Sequence, residues 1–305
     1  MTTTTPIAGA DQAVYIARAM IADALAAALR DAHATPDMGV PEADVLCGAF
    51  AHATASLDEK QTNALSLGEI APASTDARPL ADWFALGVET RRAALQAVFG
   101  FVVSRECPPL ETEFIPSKDA ATRAQHLADL AGFYRAFGLT SDPATPRRAD
   151  HICLHLGFIS VLNRKLAALT AGGIPADDAA EQADVCLHAL RSFLVEHVCW
   201  WVPTFARRLE LHALAIAEEA IDDTAQGLRV LARLARFIRA WMALERISAG
   251  CEPIRRIVGP NVDEEIVGDD ECLAADGVTP CNGCGPAPGA ASTASPSTTT
   301  NQPKG

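Results

Sequence analysis

The chain has 305 residues, a formal net charge of −13 and 49% apolar residues, and alanine and leucine dominate the apolar set. This length is enough to bury a sizeable core in one large domain or two small ones. The negative charge argues against nucleic acid as a partner, because a surface of that sign repels phosphates, and it suits a basic partner instead.

The start of the chain carries no recognisable targeting segment. Residues 1–6 lack a basic region followed by an apolar core, so no export signal is expected. No uninterrupted apolar stretch of about 18 residues is visible, so no membrane span is predicted either. We therefore expect a cytoplasmic protein whose 9 cysteines are reduced thiols.

Apolar residues recur at helical spacing along most of the chain, which predicts an all-α fold. After a flexible start at residues 1–10, we expect a single helical, bundle-like domain at residues 11–249. Its helices, about eight in number, are predicted at residues 11–33, 41–57, 80–103, 119–137, 150–171, 176–198, 204–220 and 224–248.

Glycine and proline mark several of the predicted helix ends. Pro79 suits the first turn of a helix, where its missing N–H costs nothing. Gly138 can adopt the left-handed conformation that ends a helix. Pro203 lies inside an apolar run, so a break or a new helix start is expected near Trp200. Residues 152–162, ICLHLGFISVL, are apolar on nearly every face, which indicates a helix surrounded by others.

The composition changes from Gly250 onwards. We interpret residues 250–285 as an acidic extension with cysteines and residues 286–305 as a disordered, low-complexity tail. The cysteines in question are Cys251, Cys272, Cys281 and Cys284. The last two form a CxxC pair, whose thiolates can share one metal ion. A four-cysteine zinc site usually has two such pairs, so zinc binding and a reduced tail without metal are both open.

Four segments carry a resemblance to a known family. They are CPPLETEF at residues 107–114, LADLAGFYRAFGL at 127–139, ADHICLHLGFISVL at 149–162 and FLVEHVCWWVPTFARRL at 193–209. In this order and at this spacing they resemble the TorD/DmsD/NarJ family of chaperones for molybdenum-containing redox enzymes, over roughly residues 90–250.

The resemblance implies a cytoplasmic assembly chaperone without a cofactor of its own. Its partner would be the catalytic subunit of a molybdopterin oxidoreductase, held in the apo state until the molybdenum cofactor is inserted. Many such chaperones also shield the twin-arginine leader of that subunit. One alternative is an accessory subunit retained in the mature redox complex, with metal bound by the cysteine extension. Another is a small-molecule enzyme with a pocket inside the bundle.

Two interpretations apply to the acidic residues near the apolar helix. In the first, Glu111, Glu113, Asp150 and His151 form an acidic rim beside an apolar groove, which suits a peptide with paired arginines. The resemblance supports this, because the Asp-His pair matches positions that the family uses in leader recognition. In the second, the glutamates are solvated loop residues and Asp150 caps a helix that begins at His151.

The remaining candidates are aromatic residues and histidines. Trp200 and Pro203 either line the peptide groove or pack in the core. His155, His188 and His197 lie on apolar helices, and no carboxylate or cysteine accompanies them at ligand spacing, so interior or surface histidines are favoured over a metal site. No phosphate-binding loop, nucleophile elbow or zinc-protease motif is present, and we therefore predict that the protein is not an enzyme.

Overall fold

The computed structural model of the protein describes residues 12–30, 40–57, 64–100, 106–117, 119–140, 147–172, 175–220 and 223–255. Nine α-helices lie within these ranges, and no β-strand does. The helices are α1 Gln12–Ala28, α2 Ala43–Ala55, α3 Arg78–Ala85, α4 Val88–Phe99, α5 Ala120–Ala136, α6 Ile152–Thr170, α7 Ala176–His197, α8 Val202–Glu219 and α9 Asp223–Ser248. The all-α prediction is confirmed.

All the described residues fall in the first of two compact units, Met1–Val262. The second unit, Asp263–Gly305, lies outside the described residues, as do residues 1–11. The predicted flexible start, the low-complexity tail and the cysteines Cys272, Cys281 and Cys284 therefore stay predictions.

The helix predicted over residues 80–103 is two helices, α3 and α4. Leu86 and Gly87 are extended between them, with ψ angles of 148° and 147°. Gly100 follows α4 with a φ of +68°, a conformation in which glycine avoids the strain of a side chain. One apolar stripe runs across both helices, so periodicity alone does not reveal the break. Pro79 lies in the first turn of α3, as expected.

The core is built around two helices that other helices surround. α9 packs against α8, α4 and α3, whereas α6 packs against α1 and α7. Trp201, Trp241 and Phe237 are among the fully buried side chains. α6 is long and apolar enough to cross a membrane, but most of it is buried inside the protein, as befits a core helix.

The helix ends near the centre of the chain follow the predicted signals. Gly138, with a φ of +77°, ends α5 by donating its N–H to the Arg135 carbonyl oxygen at 3.0 Å. Gly172 has a φ of +82° directly after α6. α7 ends at His197, and α8 begins at Val202 with Pro203 in its first turn. The turn between α7 and α8 therefore lies at Trp200, where the proline predicted it.

Candidate functional site

The loop at residues 106–114 is attached to the start of α6 by its backbone. The Ile152 N–H donates to the Pro109 carbonyl oxygen at 3.0 Å, and the Glu111 N–H donates to the Asp150 carbonyl oxygen at 3.0 Å. Because Pro109 has no N–H of its own, it contributes only an acceptor to this pairing. The two bonds form an isolated antiparallel bridge between Leu110 and His151. They place the side chains of Glu111 and Thr112 inside the protein.

Asp150 is a buried hydrogen-bond acceptor. Its Oδ2 accepts from the Thr112 hydroxyl at 2.7 Å and from the Thr112 N–H at 3.2 Å. Arg148 donates to the same carboxylate through Nε at 3.1 Å and Nη2 at 2.9 Å. Asp150 therefore fixes the loop to the residues that precede α6.

The residue that caps α6 is His151, and the prediction that Asp150 caps this helix is wrong. α6 begins at Ile152, and its N-cap is His151, whose Nδ1 accepts from the Cys153 N–H at 3.2 Å. Asp150 cannot cap because its carboxylate is turned towards Thr112 and Arg148. Burial, together with the positive charge of Arg147, lowers the pKa of His151 to about 4, so its ring is neutral at pH 7.

Glu111 is fully buried among three histidines. The His155 Nε2 atom lies 2.8 Å from Oε2 of Glu111. The His126 Nε2 atom lies 2.8 Å from Oε1, and the His197 Nδ1 atom lies 3.4 Å from the same oxygen. Burial alone would raise the pKa of Glu111, but the contacts with the three imidazoles outweigh it and hold that pKa well below its usual range.

The predicted acidic rim is not at the surface. Glu111 and Asp150 have no exposed area, since Glu111 lies among three histidines and Asp150 accepts from Thr112 and Arg148. Glu113 keeps partial exposure and lies 3.6 Å from Arg123, and His151 is also partly exposed. Their contact with a partner stays a prediction.

The two candidates from the aromatic segment at residues 200–203 pack in the core. Trp200 and Pro203 are buried, and the Trp200 indole donates to the Glu196 carbonyl oxygen at 3.0 Å. The indole of neighbouring Trp201 donates to the His197 carbonyl oxygen at 2.7 Å, and its ring lies 5.2 Å from that of Phe114. These contacts hold the turn before α8 against the loop at residues 106–114.

An open groove with acidic edges does exist, between α5 and α7. Its volume is about 660 Å³, and its apolar floor includes Phe133, Phe137 and Val185. Exposed carboxylates lie along its α7 side, on one face of the helix: Glu181, Asp184 and Glu196. We call this surface the α5–α7 groove. It combines an apolar surface with an acidic edge, the two features that the sequence suggested for the region around Asp150.

A second pocket, of about 520 Å³, lies between α5 and α6. Tyr134, Cys153 and Phe158 line it, and its charged members are Arg30 and Arg135. Guanidinium groups repel a basic peptide, so this pocket suits a different ligand. Of these two surfaces, the α5–α7 groove is the one whose charge matches a basic segment.

The buried histidine cluster is the part of the site that sequence reasoning missed. His155 and His197 were assigned no ligand-like partner, yet both contact Glu111, from which His155 is separated by 44 residues. No sequence pattern marks His126, which lies on the weakly patterned helix α5. The sequence contained two signals of this cluster, namely an acidic residue in a proline-rich loop and histidines on apolar helices. His188, by contrast, is exposed and lines the α5–α7 groove.

The fold is that of an all-helical protein with an open groove between α5 and α7. Comparison with known families adds the specific assignment: residues 71–207 match the family described as nitrate reductase delta subunit. This family is part of the TorD/DmsD/NarJ chaperone family, and the match covers 137 of the 305 residues. The matched residues include α3 to α7, the loop, the histidine cluster and the α5–α7 groove. No curated protein and no solved structure matches the chain.

The matched family indicates a general role. Proteins of this family are assembly chaperones of molybdoenzymes, are not enzymes and lack an intrinsic cofactor, and their partner is a catalytic subunit of the nitrate reductase type. Zinc at the C-terminal cysteines has no support from the family. Cys251, the one of the four within the described ranges, is partly buried with its Sγ 4.0 Å from the Arg191 carbonyl oxygen.

Proposed function

We propose that this chaperone holds the cofactor-free catalytic subunit of a nitrate reductase-type molybdoenzyme by seating a basic, partly apolar segment in the α5–α7 groove. A twin-arginine leader has this chemistry. The observation that carries the proposal is the groove itself, in which an apolar floor lies directly beside a row of exposed carboxylates.

The groove suits both the apolar and the basic part of such a segment. Val185 is 58% exposed and lies among acidic residues, so covering it with an apolar side chain would remove unfavourable hydration. Carboxylates bind guanidinium groups through two parallel hydrogen bonds, which fix the direction of a peptide as well as adding affinity. Glu181 and Asp184 are spaced by three residues on α7 and therefore lie on the same face. Together they can receive neighbouring arginines.

The loop at residues 106–114 has a supporting role in this proposal. Glu111 contacts His126 of α5 and His197 of α7, the two helices that form the groove. The ring of Phe133, in the groove floor, lies 5.3 Å from the ring of His197. Glu111 thus links the two groove walls from inside the protein. Glu113 and His151, which keep exposed surface, remain candidates for contact with the mature part of the partner.

Release would follow from differential binding. A chaperone of this kind must prefer the open, cofactor-free partner and lose affinity when the loaded subunit closes over the segment. The molybdenum cofactor then belongs to the partner and is never bound by the chaperone itself. Binding before export would take place in the cytoplasm. The net charge of −13 increases the rate of encounter with a basic segment at low salt.

A peptide-binding experiment tests the proposal. The probe is a synthetic peptide of about 20 residues with two adjacent arginines before an apolar run. Replacing Glu181 by Gln and Asp184 by Asn should weaken binding about ten- to a hundredfold, because charge-assisted contacts contribute about 1.5–3 kcal/mol. Isothermal titration calorimetry at two salt concentrations gives the affinities, and higher salt should weaken the wild-type complex.

The matched control removes the same charge elsewhere on the same helix. Asp177→Asn combined with Asp178→Asn acts in the first turn of α7, outside the groove. This double variant should bind almost as the wild type does. Equal losses in both double variants would mean that only the overall charge matters, and the groove would then have no specific role. An effect of Arg135→Gln alone would point to the pocket between α5 and α6 instead.

A further inference from the structure

One carboxylate oxygen and two imidazole nitrogens converge inside the protein from three different elements. They are Oε1 of Glu111 from the loop at residues 106–114, Nε2 of His126 from α5, and Nδ1 of His197 from the end of α7. All three atoms lie within 4.8 Å of one another, and all three side chains are buried. Each of these atoms is a type that binds divalent metal ions.

These atoms are not satisfied by hydrogen bonds. Among the described residues, Oε1 of Glu111, Nε2 of His126 and both ring nitrogens of His197 are buried without a hydrogen-bond partner. The close approaches of 2.8 Å and 3.4 Å between them lack hydrogen-bond geometry. Buried polar atoms are nearly always paired, and several unpaired ones around one point need an explanation. A cation bound between Glu111, His126 and His197 would provide a partner for Oε1, Nε2 and Nδ1 of these residues respectively.

The surroundings of Glu111 resemble the outer shell of a metal site. Its other oxygen, Oε2, is held by His155 at 2.8 Å, which leaves Oε1 directed towards His126 and His197. His155 is itself fixed, since its Nδ1 lies 3.2 Å from the His151 carbonyl oxygen and 3.3 Å from the Tyr134 hydroxyl. Such outer hydrogen bonds orient metal ligands and are a regular part of protein metal centres.

We propose that Glu111, His126 and His197 bind one divalent first-row metal ion of the zinc class. Two imidazoles and one carboxylate form a donor set used by zinc and by non-haem iron(II). Ligands about 2.0–2.1 Å from a tetrahedral ion are about 3.3 Å apart. In the present structure Oε1 of Glu111 lies 2.8 Å and 3.4 Å from the two nitrogens, which themselves lie within 4.8 Å of each other. Because the family lacks an intrinsic cofactor, this ion would be a feature of this chain.

The ion would act as a structural link. It would join the loop to the two helices that form the α5–α7 groove, next to Phe133, whose ring lies 5.3 Å from that of His197. The cluster is buried, so the ion would stabilise the groove without contacting the bound segment. The inference does not depend on what occupies the groove, and a failed peptide-binding experiment would leave it unaffected.

Metal titration of the full chain tests the site. The protein is prepared with Cys251, Cys272, Cys281 and Cys284 replaced by serine, stripped with chelator, and titrated with Co²⁺ as a coloured substitute for zinc. We expect one equivalent bound, with visible bands of a four- or five-coordinate ion and no thiolate charge-transfer band. Zn²⁺ should displace the cobalt and raise the Tm, because it binds only the folded state. Failure to bind one equivalent would overturn the proposal.

Two histidine variants locate the ion. His126→Gln removes one ligand near the edge of the core and should abolish stoichiometric cobalt binding. His188→Gln, an exposed position on α7, should bind cobalt as the parent protein does. Retention of cobalt by a folded His126→Gln protein would overturn the assignment, with folding checked by circular dichroism. If that variant does not fold, X-ray absorption of the zinc-loaded parent decides: two imidazoles support the site, and one or none contradicts it.

Discussion

The Thr112 hydroxyl donates a 2.7 Å hydrogen bond to Oδ2 of Asp150 and thereby joins the proline-rich loop to the start of α6. The Nη2 of Arg148 completes the arrangement, since it lies 2.9 Å from the same oxygen and 2.7 Å from the Thr112 hydroxyl oxygen. Asp150 thus holds the loop through hydrogen bonds from Thr112 and Arg148. The role of Asp150 in stability can therefore be tested separately from any role in binding.

Asp150→Asn should lower the free energy of unfolding by about 1–3 kcal/mol. The amide keeps one acceptor oxygen, but its NH2 group would face donors from Thr112 or Arg148 in place of a carboxylate oxygen. Urea unfolding followed by circular dichroism measures the change. Asp184→Asn, at an exposed position, is the control and should stay within about 0.5 kcal/mol of the wild type. If both variants unfold alike, Asp150 does not hold the loop.

The buried ion pair between Arg18 of α1 and Glu245 of α9 should show strong coupling. Nη2 of Arg18 lies 2.7 Å from Oε2 of Glu245, and both side chains are almost fully buried. Arg18→Met and Glu245→Met should each cost about 3–5 kcal/mol, because each leaves a buried charge unpaired. The double variant should cost clearly less than the sum of the two. A double-mutant cycle from urea unfolding measures this, and simple additivity would show that the pair is not coupled.

His151 should make stability depend on pH in the acid range. Its pKa is lowered to about 4 in the folded protein, whereas an unfolded chain has a value near 6.5. Between these values the unfolded state binds more protons, so stability falls as the pH is lowered from about 6.5 to about 4. The expected loss is on the order of 1–3 kcal/mol.

The variant His151→Asn isolates this contribution. Asparagine can cap α6 by accepting from the Cys153 N–H, but it does not titrate. Urea unfolding at pH 7, 6 and 5 should therefore show a weaker pH dependence for the variant than for the wild type. The other histidines contribute equally to both proteins and cancel in the difference. Parallel pH profiles would contradict the lowered pKa of His151 in the folded protein.

Gly227 allows a close approach between α9 and α4. A Cβ atom there would lie 3.0 Å from the Thr90 carbonyl oxygen and 3.0 Å from the Ala94 Cβ. Gly227→Ala should therefore destabilise the protein by about 1–3 kcal/mol, although alanine is the better helix former. Gly132→Ala on α5, where a Cβ meets nothing within 4 Å, should instead stabilise by about 0.5–1 kcal/mol. Thermal and urea unfolding of both variants measure the contrast, and a shared sign would contradict this packing.

The sequence by itself determined the features that depend on neighbouring residues. Apolar residues at helical spacing predicted the all-α fold, and Gly138 and Pro203 marked helix ends that the structure confirms. The apolar segment at residues 152–162 was correctly placed in the core. These signals are local, because a helix and its caps are formed by residues within a few positions of one another. The short motifs also indicated the chaperone family, which the match to residues 71–207 supports.

Only the tertiary structure decided where the charged residues lie. An isolated glutamate in a loop is expected at the surface, yet Glu111 is buried because histidines from α5, α6 and α7 surround its carboxylate. The burial of a charge depends on the partners that compensate for its lost hydration, and here they come from helices distant in sequence. The α5–α7 groove likewise arises from the packing of two helices. The spacing of residues within one helix does not predict which other helix packs against it. The sequence therefore suggested the acidic, apolar surface beside Asp150 and not between α5 and α7.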